Sequence, residues 1–271
     1  MSQSCETVGR TALIRQGLPV SALGLTFYPI TMLHYDDFLA CKDAITLRLS
    51  TLPVKYISQD YLSAIFSFET DFFRKNGEQI GLISRVFRFF TLSLRIGENE
   101  ISRKNLLNVK EKDGNVSIES INAVQDGRLV RISPQEFSTV IRTLLAQMNG
   151  LELPDESENL DLIHANEQKK ELDQPKQRIH VNTDDLISSV AYLSHCRERE
   201  LMEWTVREFE LRRTAIERDK RYTMCGQAEM GGMITFKNGN PAPSWCYDVL
   251  DNSLGTKSLS ELNFGNAKQK Q

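Results

Sequence analysis

Apolar residues along this chain recur mostly at helical spacing, with a few runs that alternate like strands. LTFYPI, residues 25–30, is a short β-like run rich in aromatics. Pro29 places it at a strand end or an edge, because proline has no N–H for a ladder. HYDDFLACKDAITLRLS, 34–50, sets Phe38, Ala44, Ile45 and Leu49 near one face with Asp36 and Asp37 at its start, which predicts a helix. LPVKYIS interrupts it. A second helix is predicted from Gln59 to Lys75, with Leu62, Ile65, Phe66, Phe68 and Phe72 as apolar contacts and Asn76-Gly77 as its end. GLISRVFRFFTLSLRIG, with Arg85, Arg88 and Arg95 spaced along it, is apolar nearly all round. That is expected of a helix buried between others, and the period-two LSLRI leaves a strand as the alternative.

The pattern changes at 105–132, where three β-like runs are separated by two Asp-Gly turns, predicting a small antiparallel meander. Ser133-Pro134-Gln135-Glu136 is a capping box with proline at the first helical position, opening a helix to about Met148 that Asn149-Gly150 closes. Residues 151–181 are rich in acids, amides and prolines around one weak helical patch, NLDLIHANEQKKEL, and read as a linker at a domain boundary. An N-cap at 182–185 precedes LISSVAYLSHC, and a longer helix is predicted from Thr205 to Ala228 with Val206, Phe209, Ala215, Ile216 and Tyr222 on its apolar side.

The expected fold is therefore α+β and mainly helical. A weakly ordered leader, 1–24, precedes an N-terminal α+β domain at 25–150. An acidic linker follows at 151–181, then a C-terminal helical domain at 182–250 ending in a hairpin or strap, then a polar tail at 251–271.

Composition removes several function classes. The 271 residues carry a net charge of −3, so no global field draws the chain to nucleic acid or to a membrane surface. No apolar run approaches the roughly 20 residues of a membrane span. The start, MSQSCETVGRTALIRQ, lacks the apolar core of a secretory signal. Five cysteines stand at irregular spacing with no C-x-x-C pair, and the four histidines never pair at i+3 or i+4. Neither a metal site nor a redox motif is expected, and scattered thiols suit a reducing cytoplasm.

Three candidates for chemistry are each matched by a plainer reading. AEMGGMITFKNGNPAPSW, 228–245, sets Gly231-Gly232 and Lys237 in a glycine-rich stretch, but after a helix rather than a strand. A phosphate loop needs G-x-x-x-x-G-K-[ST] between a strand and a helix, so a hairpin or strap pinned by a buried Trp245 is expected instead. The helices at 184–221 suggest a helix-turn-helix. Residues 183–221, however, carry eight Lys and Arg against nine Asp and Glu, the interleaved pattern of a solvated helix with i,i+4 pairs. His195 and Cys196 are neighbours and point about 100° apart on a helix, which fits packing better than a nucleophile and its base.

Three stretches together resemble a known group. LTFYPITMLHYDDF is similar to a "YP-hydrophobic-x-x-x-Y-x-x-F" opening, with one residue more before Tyr35. ISPQEFSTVIRTLLAQMNGLELPDE resembles an "F-x-x-I-R-x-x-I-x-x-Q-N" segment through Phe137, Ile141, Arg142, Leu145, Gln147 and Asn149, with one residue more after Phe137, one fewer after Leu145 and Met148 inserted before the last. TDDLISSVAYLSHCRERELMEWTVREF looks like the later "D-x-L-I-x-x-x-A…T-hydrophobic-x-x-F" helices. The group comprises tail assembly chaperones, and the tail proteins encoded beside them, of phages infecting Gram-positive bacteria.

The resemblance implies a non-enzymatic factor without cofactor in the host cytoplasm, holding apolar helical segments of the tape measure protein while the tail polymerises. A virion tail or neck component and a helix-turn-helix regulator on 184–221 are the alternatives. The segment 61–94 holds more phenylalanine than two helices bury against each other, so Phe68, Phe72, Phe73 and Phe89 are the candidate partner-binding residues, open to a client or covered by self-association.

Overall fold

The chain opens with α1 (Ser2–Arg15), a helix where the sequence suggests only a loose leader. The computed structural model describes residues 2–96, 107–112, 115–156, 165, 182–232, 242 and 244–246. The apolar period of α1 is weak, and among its described side chains only Ile14 is buried. Tertiary packing against β1 and the helix at 142–148 holds it, which no local pattern announces.

Strands β1 (Val20–Ala22) and β2 (Leu25–Phe27) pair antiparallel with Ala22 opposite Leu25. The turn residues Leu23 and Gly24 have φ of +51° and +79°, both positive, as a mirror-image two-residue turn requires. A second sheet has the order β3 (Leu107–Lys112), β4 (Asn115–Gln125), β5 (Arg128–Ile132), all antiparallel, and is the meander expected from the Asp-Gly turns. The Gln125 side-chain amide joins the two sheets. Its Nε2 donates to the Thr26 carbonyl at 2.9 Å, and its Oε1 accepts from the Thr26 N–H at 2.7 Å.

On either side of Pro29 the chain runs through the middle of the packed unit. Tyr28 N–H donates to the Ser93 carbonyl (2.7 Å), and Ile30 N–H donates to Asn149 Oδ1 (2.9 Å). The Ile30 carbonyl accepts from Val206 N–H (2.8 Å), and Met32 N–H donates to the Trp204 carbonyl (2.9 Å). Three distant segments are thereby tied to one extended stretch, whose buried backbone groups need these partners.

Helix α2 (Tyr35–Ile45) buries Tyr35, Phe38, Cys41, Ala44 and Ile45, and packs on α5 (Leu82–Leu94). Short α3 (Val54–Ile57) leads into α4 (Tyr61–Asn76), capped by Asp60 and ended at Gly77. An aromatic core threads these helices: Phe27 to Phe90 at 6.0 Å between centroids, Phe90 to Phe137 at 5.6 Å, Phe38 to Phe89 at 5.8 Å and Tyr35 to Phe209 at 5.4 Å. The capping box forms as read, with Ser133 and Glu136 bonding each other's backbone N–H at the start of α6 (Pro134–Glu136). The expected uniform helix beyond it contains a π-helical segment, Phe137–Ile141, before α7 (Arg142–Met148). The wider turn keeps both Phe137 and Ile141 fully buried.

Helices α8 (Thr183–Leu193), α9 (Glu198–Leu201) and α10 (Val206–Met230) follow. Residues 1–156 and 183–214 form one compact unit. The boundary read at 151–181 therefore does not separate an N-terminal body from a C-terminal one: the bonds at Ile30 and the buried Leu201, Val206 and Phe209 bind the later helices to the first domain. Residues 157–182 and 215–271 form the other unit. In it the Arg218 guanidinium donates to the Cys246 carbonyl at 3.1 Å, and Ala242 is buried. The distal apolar residues read for the last helix are not core, since Ala215 and Tyr222 are exposed and Ile216 partly buried. No described helix is long and apolar enough to cross a membrane.

Candidate protein-binding surface

Helix α4 divides its length between two jobs. Its first turns bury Tyr61, Leu62, Ala64 and Ile65, while its later turns leave Phe66, Phe68 and Phe72 partly buried and Phe73 47% exposed. The start is fixed by Asp60, whose Oδ1 accepts from Ser63 N–H (3.0 Å) and from the Ser138 hydroxyl (3.2 Å). Further along, Glu69 ties the middle of α4 to the start of α5. Its two carboxylate oxygens accept from Gly81 N–H (2.6 Å) and Ile83 N–H (2.9 Å), setting a negative charge at the N-terminus of α5.

Around and beyond Glu69 lies a strip of aromatic rings. Phe68 meets Tyr56 edge-on at 5.6 Å and lies 6.3 Å from Phe72. Behind it sits a small satellite core of Leu52, Tyr56 and Ala64, against which Leu47, Leu49 and Phe68 pack. Leu49, read on the face of α2, belongs here in a 3-10 turn beyond the helix. On α3, Val54 is 84% exposed and Ile57 41%. That helix was missed: LPVKYIS reads as a break, although Pro53 before an i,i+3 Val54–Ile57 pair is a start signal.

A polar group flanks the rings. Lys55 Nζ pairs with Asp71 Oδ2 and lies 4.5 Å over the Tyr56 ring, and Tyr56 Oη donates to the same carboxylate oxygen at 2.8 Å. Lys55 first, and Tyr56 second, hold the Asp71 carboxyl below the ordinary carboxylate range, while the bond to Asp71 raises Lys55. Desolvation raises the Tyr56 phenol. A cleft of about 720 Å³ runs beside them past Gln59, Ser63 and Ser67.

The structure gathers Phe68, Phe72 and Phe73 on one helix and separates Phe89 from them. Phe89 is fully buried against Phe38, because Val86, Phe89, Phe90 and Ser93 form the inward face of α5 at i, i+3, i+4 and i+7. It is a core residue and not part of the surface. Trp245 departs from expectation too: it is 63% exposed rather than buried. The rest of the strap read at 233–245, Lys237 and Gly239 included, lies outside the described residues apart from Ala242 and Ser244. His195 and Cys196 sit beyond the end of α8, where His195 takes φ of +55° and Cys196 N–H donates back to Ala191 at 3.1 Å; they close a helix.

The would-be recognition helix is tied down where it would read bases. Val206 and Phe209, in the first turn of α10, are fully buried, and a recognition helix contacts base edges with its N-terminal residues. Among the described residues no three His, Cys, Asp or Glu side chains are grouped to hold a metal ion. In comparisons with protein-family models, curated proteins and solved structures, nothing matches this chain.

Proposed function

We propose that this chain is a non-enzymatic protein-binding factor of phage tail morphogenesis, an assembly chaperone that holds apolar helical segments of the tape measure protein. The observation that carries the reading is the aromatic strip on α4: a partly exposed row of rings, backed by its own small core, on a helix tied at its start by Asp60 and at its middle by Glu69. An amphipathic client helix docks by placing i, i+3, i+4 and i+7 side chains into such a surface. The geometry of the resemblance also supports it. Ile30 of the first stretch bonds Asn149 of the second and Val206 of the third, so the three similar stretches meet at one point in the fold. The buried first turn of α10 weighs against the regulator.

The test is co-expression with a tagged tape measure protein. Phe72→Ser with Phe73→Ser should abolish co-purification and leave the cooperative melt within about 1 kcal/mol, as expected of changes outside the core. Phe89→Ser should instead destabilise by about 3 kcal/mol or more, through lost packing and a polar group buried in its place. Undiminished capture by the folded double variant would end the assignment of this surface. Finding the protein in purified virions would move the reading to a resident tail component.

A further inference from the structure

Away from the aromatic strip, a cleft of about 810 Å³ opens between the later turns of α1, one face of α2, the end of α7, and the first turns of α8 and α10. Its size falls within the roughly 300–1,000 Å³ of small-molecule sites. Ile14, Phe38, Leu151, Leu186 and Leu211 give it an apolar wall. Set against that wall are Arg15, Lys42 and Arg207, contributed by three different helices. Among the described residues none of the three side chains forms an ion pair or a side-chain hydrogen bond.

The acids of the cleft do not answer them. Glu210 is already matched: it accepts from Arg213 at 2.7 and 2.9 Å and from Tyr35 Oη at 2.8 Å. Glu152, the other carboxylate, is exposed. Four cations against two carboxylates leave the lining at +2 in a chain whose net charge is −3. Like charges gathered in a concave, partly apolar site repel one another and focus a positive field, which a bound anion relieves. We propose that this cleft binds a small organic anion carrying at least two negative oxygens on an apolar body, with Arg15, Lys42 and Arg207 gripping the charge and the leucine-lined wall the body.

Phenyl phosphate and phthalate share that chemistry and differ in its source, and benzyl alcohol has the body without the charge. Calorimetric titration of the full chain at neutral pH and low salt should show saturable one-site binding of at least one anion, with Kd of about 1 mM or tighter, and none of the alcohol. The anion that binds tighter tells a phosphate source from a carboxylate source. Lys42→Gln with Arg207→Gln should weaken binding by about tenfold or more, since glutamine keeps the stem and removes the charge. Absence of saturable binding by both anions overturns the proposal, as does unchanged affinity in the folded double variant. If that variant does not fold, acetylation of the wild-type chain decides: protection of Lys42 by the bound anion supports the site, and equal labelling with and without it overturns the site.

Discussion

Arg142 shows how a residue of the resembling motif acts in the fold. Its side chain is buried, its Nε donates to the Ile45 carbonyl and its Nη2 to the Leu47 carbonyl, both at 2.8 Å, and its guanidinium lies 3.6 Å over the Tyr61 ring. Tyr61 Oη donates to the Ala44 carbonyl, so the two side chains satisfy acceptors at and just beyond the C-terminal end of α2, where a positive charge also favours the helix dipole. Burial lowers the Arg142 pKa without neutralising it. Arg142→Met should cost about 2–4 kcal/mol in urea unfolding, because it strands two carbonyls. Arg142→Lys should recover less than half, since one ammonium cannot fork to both and stack on the ring. A lysine variant as stable as wild type would show that charge alone matters. Burial, the larger cause, also raises the phenols of Tyr61 and Tyr35, the latter helped by its bond to Glu210. A folded pKa above the unfolded value near 10 gives stability fully present below about pH 10 and lost as pH rises beyond it. Melting temperature should fall on going from about pH 9 to 11; a flat profile would contradict the burial of both rings.

At the scale of elements, what was legible in the sequence was what local chemistry decides. The capping box at Ser133, the end of α4 at Gly77, the meander and the helix over 82–94 all depend on residues within a few positions of one another. The misses have the opposite cause. Phe89 and Phe73 look alike along the chain, and only the packing of α5 on α2 distinguishes a core ring from a surface one. Asn149-Gly150 is half legible: a helix stop was expected, but not the side-chain bond from Asn149 to Ile30, 119 residues away. Gly150 itself has φ of +72°, and an added Cβ would stand 3.1 Å from Arg207 Cγ. Backbone strain and a tight contact then act together, so Gly150→Ala should destabilise by about 1–3 kcal/mol. Gly127→Ala, at the same φ of +72° with nothing within 4 Å, isolates the strain. Equal losses at the two sites in paired thermal melts would mean that the approach of α10 to Gly150 contributes nothing.

For the whole molecule, the sequence hides how far the first domain reaches. Its acidic, proline-bearing middle marks a boundary by composition, yet the buried contacts cross it. Val206 closes a backbone bond to Ile30, and Met202 and Trp204 accept from Leu33 and Met32, all pairings between residues about 170 positions apart that no local window contains. Leu201, Val206 and Phe209 are fully buried. At about 1.5–3 kcal/mol for each such side chain, removing all three withdraws about 5–9 kcal/mol, which is as large as the roughly 5–15 kcal/mol by which whole domains are stable. The backbone partners of Ile30 and Met32 would be lost as well. A chain ending at Glu156 should therefore fail to melt cooperatively, bind a hydrophobic dye and associate, whereas one carried through Thr214 should melt as a single transition. Far-ultraviolet circular dichroism of the two lengths measures this directly. A cooperative melt of the shorter chain at the temperature of the longer one would show that residues 1–156 fold without the later helices, and that the contacts at Ile30 join two finished domains rather than complete one.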